Sequence, residues 1–244
     1  MSHDLVLLVG SANGPLPYVS VSKGTGISAY GFDSGAGKAT LLSTCGEVLN
    51  PTFVAASMDG RFIGAVTERG DAAFGTLTTL ALDTATGAMR TIGAASSMGV
   101  GPAHVSFSPD GTHIACANYS AAPLGQSAGA SLAVHALNSD GAFLRLVGTA
   151  THIGSGPNAG RQERSHVHCA RWSVDGRFVF VADLGTDELV SYRVTPAGLE
   201  KVAVLATPPG AGPRHLALHP NGHHAYLVAE LSSTVLSLGY DAGE

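Results

Sequence analysis

GPRHLALHPNGHHAYLVAE (residues 212–230) is a short apolar run, an Asn-Gly pair and a second alternating run. Three other stretches share its form: NPTFVAASMDGRFIGAVTE (50–68), GPAHVSFSPDGTHIACANY (101–119) and SHVHCARWSVDGRFVFVAD (165–183). A period of two sends alternate side chains to opposite faces of a strand. Asp-Gly or Asn-Gly supplies the positive φ angles of a tight turn, so each stretch predicts a β-hairpin. The turns fall at Asp59-Gly60, Asp110-Gly111, Asp175-Gly176 and Asn221-Gly222, spaced by 51, 65 and 46 residues.

Outward from each hairpin comes a third predicted strand: Gly75–Leu82, Ser131–Leu137, Glu188–Val194 and Ser233–Leu238. Fourth strands follow near Met89–Ile92, Phe143–Gly148 and Leu199–Leu205. Four antiparallel strands repeated at a period near 50 residues, with no helical periodicity between them, predict an all-β fold, a β-propeller of four-stranded blades. Asp4–Val9, Gly26–Phe32 and Thr40–Cys45 predict three strands of a further blade that lacks its first strand. About five blades are visible within one domain spanning 1–244, and the pattern stops after a third strand. Since closed propellers complete one blade from both termini, this stop predicts a natural protein extending about two blades past Glu244; a five-bladed ring closed by Asp4–Val9 pairing into the last blade is the alternative.

Composition narrows the function. Of 244 residues only 13% are charged and 32 are glycine, the balance of a turn-rich chain whose sheets are covered on both faces. A net charge of −5 and no basic stripe argue against a nucleic-acid partner. The apolar run Leu5–Val9 is far short of a membrane span or a signal-peptide core, so no membrane association is expected. Three cysteines, Cys45, Cys116 and Cys169, without metal-type spacing predict buried thiols and a cytoplasmic setting.

GPNAGRQERSHVHCARWSVDGRFVFVADLGTDELVSYRV (156–194) and GAGPRHLALHPNGHHAYLVAELSSTVLSL (210–238) resemble the lactonase family of seven-bladed propellers. That family includes the propeller-type 6-phosphogluconolactonases and the carboxymuconate cyclases. The GAGPRH…HPNG…AY…EL…STV string carries most of the resemblance, which extends more loosely over the rest of the chain. It implies seven blades, a small anionic lactone as substrate, and no cofactor or metal.

In a propeller the first strands line a central channel, and loops at one mouth build the usual site. The expected entrance residues are Pro51, His104, His166, His168, Arg214 and His215, with Glu68, Asn118, Asp183 and Glu230 at the ends of second strands. Arg214 opens an otherwise apolar strand where the equivalent of another repeat is alanine, and a guanidinium there would hold a carboxylate or phosphate in a forked geometry. A surface ion pair is the alternative; the resemblance favours the anion site. His168 is the expected acid/base, and alternation places His166 on the same side of the strand. His-x-His is also a metal-ligand spacing, but no third ligand stands nearby in sequence.

Glu230 is expected to activate water or orient a histidine, with Asp183 equivalent one blade earlier; capping of a turn is the alternative for both. Arg161 and Gln162, in the Gly/Pro-rich loop before the third hairpin, are expected mouth contacts, as are His215 and Asn118. His219, His223 and His224 read as structural or solvated, and the same reading is the alternative for His215. Without a Gly-x-Ser-x-Gly elbow or a phosphate loop, water is the expected nucleophile. The site is thus expected to hydrolyse a sugar lactone; a carboxymuconate-type cyclase or isomerase and a non-catalytic propeller scaffold remain alternatives.

Overall fold

The structure, a computed structural model, describes residues 4–19, 21–69, 71, 73–120 and 129–240. They form five antiparallel sheets, each a meander. The first holds β1 (Leu5–Gly10), β2 (Ile27–Asp33) and β3 (Lys38–Cys45). The second holds β4 (Val54–Ala56), β5 (Phe62–Thr67), β6 (Thr76–Leu82) and β7 (Met89–Ser96). The third holds β8 (Val100–Phe107), β9 (His113–Ser120), β10 (Leu132–Leu137) and β11 (Phe143–Ala150). The fourth holds β12 (Val167–Trp172), β13 (Phe178–Asp183), β14 (Glu188–Thr195) and β15 (Gly198–Ala206). The fifth holds β16 (Pro213–Leu218), β17 (His224–Ala229) and β18 (Thr234–Gly239). No helix occurs among the described residues. The expected all-β propeller architecture is what forms.

Each gap between neighbouring sheets is filled by its own apolar cluster. Ile27, Ile63 and Leu80 join the first sheet to the second; Val66, Leu77, Val105 and Ile114 join the second to the third. Leu132, Val134, Trp172 and Val181 join the third to the fourth, and Cys169, Leu189, Leu216 and Leu227 join the fourth to the fifth. The three cysteines are free and buried, and burial raises the Cys116 and Cys169 thiol pKa values. Serial packing of this kind brings the first strands of successive sheets side by side, which is what gathers residues from several blades at one mouth.

The hairpin turns differ from the expected tight turn with two left-handed residues. Only the glycines are left-handed, at φ 71° for Gly60 and Gly111, 73° for Gly176 and 72° for Gly222. Each glycine N–H donates to the carbonyl three residues back, as Gly60 does to Ser57 at 2.9 Å. The preceding aspartate keeps negative φ because its side chain organises the loop. Asp59, Asp110 and Asp175 each accept a serine hydroxyl at 2.6 Å, from Ser57, Ser108 and Ser173, and also accept the backbone N–H two residues on. The result is a wider, side-chain-braced loop.

The ladder between first and second strands carries one irregularity that matters for the site. Pro102 pairs Asn118 and His104 pairs Ala117, so Ala103 is an extra residue on β8. Val167 and Cys169 pair the adjacent Asp183 and Ala182, making His168 the extra residue of β12. Pro213 and His215 pair Ala229 and Val228, which makes Arg214 the extra residue of β16. A β-bulge leaves its additional residue out of the ladder and re-aims its side chain.

Candidate functional site

The bulges explain which side chains reach the mouth. A cleft of about 420 Å³ is lined by Tyr18, Thr52, Phe53, Glu68, Gly101, Ala103, Tyr119, Arg161, His168, Arg214, His215 and Glu230. Ala103, His168 and Arg214, the three bulge residues, all belong to it. Arg214 and His215 are adjacent in the chain, and an unbroken strand would send them to opposite faces; the bulge lets both line the cleft.

Aromatic rings form the base. Phe53, His104 and His215 occupy the same position of three hairpins, six residues before the turn aspartate or asparagine. Their ring centroids lie 4.3 Å (Phe53–His104), 5.8 Å (Phe53–His215) and 5.6 Å (His104–His215) apart. His168 adds a ring 5.2 Å from His215. Burial first, then the charges of Arg214 and His215, lower the His168 pKa to about 4, and its buried Nδ1 has no hydrogen-bond partner. Burial, with His215 and Arg171 beside it, lowers His104 to about 3. Both imidazoles are therefore neutral at pH 7.

Cys169 occupies the same position of the fourth sheet, and its Sγ lies 3.6 Å from His104 Nε2. His104, Cys169 and His215 keep their donor atoms within 4.8 Å of one another, the one such trio found among the described residues. His104 Nδ1, however, accepts the Ala170 N–H at 3.4 Å, which assigns the ring proton to Nε2 and aims that N–H at sulfur. His104 is tied to Cys169 and to the Ala170 N–H, without the free imidazole lone pair that an ion would need from it.

Charge is concentrated at the rim. Arg161 Nη2 donates to Glu230 Oε1 at 2.6 Å, and Arg214 Nη1 donates to Glu230 Oε2 at 2.5 Å. Burial opposes ionisation of Glu230, but the Arg161 hydrogen bond and the two guanidinium charges outweigh it and hold its pKa below the ordinary carboxylate value. Glu230 thus spaces two guanidiniums side by side, each with further N–H donors. Arg161, His168, Arg214, His215 and Glu230, anticipated from separated stretches of the chain, are brought together here, and Glu68, also anticipated, lines the same cleft.

Six anticipated residues do not line the cleft: Pro51, His104, Asp183, Asn118, Gln162 and His166. Asp183 is fully buried and accepts from His152 Nδ1 at 2.9 Å, Ser165 Oγ at 2.6 Å, and the backbone N–H groups of His166, Gly185 and Thr186. Asn118, also fully buried, donates to the carbonyls of Ser97 at 2.7 Å and Ala130 at 2.9 Å. Gln162 is buried and spans Leu184 O at 2.9 Å and the Asn158 N–H at 3.1 Å. His166 is buried under Tyr119, with ring centroids 4.3 Å apart, and bonds Tyr119 O and Glu163. Asp183, Asn118, Gln162 and His166 are thus each engaged in bonds inside the fold.

The physical reason is register. Asn118 and Asp183 stand eight residues after the turn aspartate, whereas Glu68, Tyr119 and Glu230 stand nine after the turn aspartate or asparagine. One residue along a strand exchanges the two faces, so the eighth position enters the sheet interior, and the ninth reaches the cleft in the second, third and fifth sheets. His166 fails for a related reason: it precedes β12, and the bulge at His168 breaks the alternation that would have paired them. Pro51 and His104 are likewise buried; Tyr18, Thr52, Phe53 and Tyr119 are cleft residues the sequence did not single out. Counting from the turn would have found Tyr119.

The model of the family described as lactonase, 7-bladed beta-propeller, matches residues 7–244. The 6-phosphogluconolactonase of Formosa agariphila is 29% identical over 217 residues, 87% of this chain and 59% of that protein. The 6-phosphogluconolactonase of Bacillus subtilis is 30% identical over 227 residues, 91% of this chain and 62% of its own. The chain thus spans about six-tenths of the length of these curated relatives. Among solved structures, a Bacteroides fragilis protein described provisionally as a 6-phosphogluconolactonase superposes with a TM-score of 0.84 at 30% identity, covering 98% of this chain and 65% of that one. The periplasmic gluconolactonase of Pseudomonas aeruginosa gives 0.78 at 29% identity, covering 98% and 69%. With a family model running over nearly all of its length, the chain belongs to the lactonase family of seven-bladed β-propellers.

Proposed function

We propose that the cleft hydrolyses an anionic sugar lactone, with 6-phosphogluconolactone opened to 6-phosphogluconate as the reaction its relatives' names support. The observation that carries the reading is the pair of arginines held side by side by Glu230 next to a neutral histidine. Arg161 and Arg214 bind the phosphate through N–H groups not engaged by Glu230. His168 accepts a proton from the attacking water as its oxygen bonds to the lactone carbonyl carbon. The ester C–O bond then breaks, the ring oxygen takes the proton back to become a hydroxyl, and the new carboxyl group ionises. Sugar δ-lactones are reactive, so orientation with modest general-base help suffices.

A base with a pKa near 4 is weak, but it is fully in its basic form at neutral pH. The depressed pKa of Glu230 suits it to positioning arginines more than to taking the proton itself. No helix among the described residues is long and apolar enough to cross a membrane. Three free, buried cysteines support a cytoplasmic place of action.

The direct test is product formation from 6-phosphogluconolactone above the spontaneous rate; no excess would sink the reading. The pH profile gives a second test. Protonation of His168 should abolish activity, so kcat/KM has a limb with a midpoint near 4, below the step near pH ~6 that the substrate's own phosphate contributes. Arg214→Gln removes one cause of the depression, and the limb should move towards neutral pH. A limb unmoved by that change would separate His168 from the titration.

A further inference from the structure

Two carboxylates face the cleft from equivalent positions, and their surroundings differ. Glu230 is engaged by two arginines. Glu68 has neutral neighbours: the Thr52 hydroxyl donates to its Oε2 at 2.6 Å, and the Tyr18 phenol lines the same cleft and feels its charge. No Lys or Arg pairs with Glu68 among the described residues. Tyr18 belongs to the loop between β1 and β2, while Thr52 and Glu68 flank the second sheet's hairpin. The cationic side comes from the loop before β12 and from the fifth sheet. The cleft is therefore polarised, with guanidiniums at one side and an acceptor-rich, anionic side at the other.

A hexono-δ-lactone 6-phosphate is polarised in the same sense. Its reacting ester and its phosphate-bearing carbon lie along one edge, and its three secondary hydroxyls along the opposite edge. Hydroxyls donate to a carboxylate, whereas a second carboxylate placed there meets like charge in a partly desolvated site.

Building on the lactone-hydrolase reading, we propose that Glu68, with Thr52 and Tyr18, is a hydroxyl-recognition subsite that fixes substrate orientation and selects hydroxylated lactones with one anionic group over polycarboxylated ones. Phe53 would cover the apolar face of such a ring from below. The subsite thereby separates the sugar-lactone reading from the muconate-type one, which the arginines and the acid/base group alone serve equally well.

The test is calorimetric and needs no turnover. Binding of 1,5-anhydroglucitol 6-phosphate, which carries the phosphate and the three hydroxyls, is compared with that of methyl phosphate in the wild type and in Glu68→Gln. The wild type should bind the sugar phosphate about tenfold or more tightly than methyl phosphate, and Glu68→Gln should lose most of that ratio while binding methyl phosphate as before. Tyr18→Phe should fall between. Tricarballylate, with three carboxylates, should bind Glu68→Gln better than the wild type. Thermal melts confirm that the variants are folded. An unchanged ratio in Glu68→Gln, or no discrimination or no binding in the wild type, overturns the subsite. Glu68-dependent discrimination without lactone hydrolysis would sink the hydrolase reading and leave the subsite standing; hydrolysis with an unchanged ratio would do the reverse.

Discussion

Arg214→Ala is expected to lower kcat/KM for 6-phosphogluconolactone by about 10²–10³-fold, the usual cost of losing one charge-assisted contact to the reacting species. Its thermal midpoint should move by only about 3 °C or less. Arg214 is 41% exposed, and its ion pair with Glu230 is worth at most about 1 kcal/mol to stability at such a position. As a bulge residue it contributes nothing to strand pairing that alanine would lose. Arg214→Lys restores the charge without the fork and should recover only part of the activity. Steady-state kinetics and a melting curve decide the matter: full activity would remove Arg214 from anion binding, and a large fall in midpoint would make it structural.

Asp183→Asn should show the opposite signature. The wild-type carboxylate accepts five hydrogen bonds with no exposure, and an amide nitrogen in place of one oxygen faces donors. Breaking such a buried charged network costs about 3–5 kcal/mol. For a domain of this size that lowers the thermal midpoint on the order of 10 °C. KM of the folded fraction should be unchanged, since Asp183 lies outside the cleft. Burial opposes its charge, but His152 and Ser165 outweigh burial and its folded pKa is lowered. Its stabilisation is thus present above the unfolded carboxylate pKa and lost as pH falls through the lower folded value. The Asn variant should lack that part of the acid lability. A raised KM with an unchanged midpoint would return Asp183 to the substrate.

The fold was legible in the chain because period-two alternation and Asp-Gly pairs are local signals that tertiary packing did not override. Every third and fourth strand anticipated from them forms within a few residues of its expected bounds. The site was half legible. Arg214 and Glu230 stand out as charges at the ends of apolar strands, and both reach the cleft. Asp183 stood out in the same way and does not, since polarity at a strand end does not reveal which face a residue takes. That depends on register counted from the turn and on a one-residue bulge with no compositional mark. Tyr18 was beyond reach because its loop has no counterpart in the other repeats to compare it with.

The bulge position also bears on how such a protein can change. Ala103, His168 and Arg214 hold one structural slot in three successive sheets, yet they are a methyl group, an imidazole and a guanidinium. Because the slot lies outside the hydrogen-bonded ladder and opens on the cleft, its occupant can change without altering strand pairing. A library randomised at these three residues, with the sheets untouched, would vary catalysis and ligand preference on a constant framework. Ala103 is the natural first choice, since it lines the same cleft and carries only a methyl group.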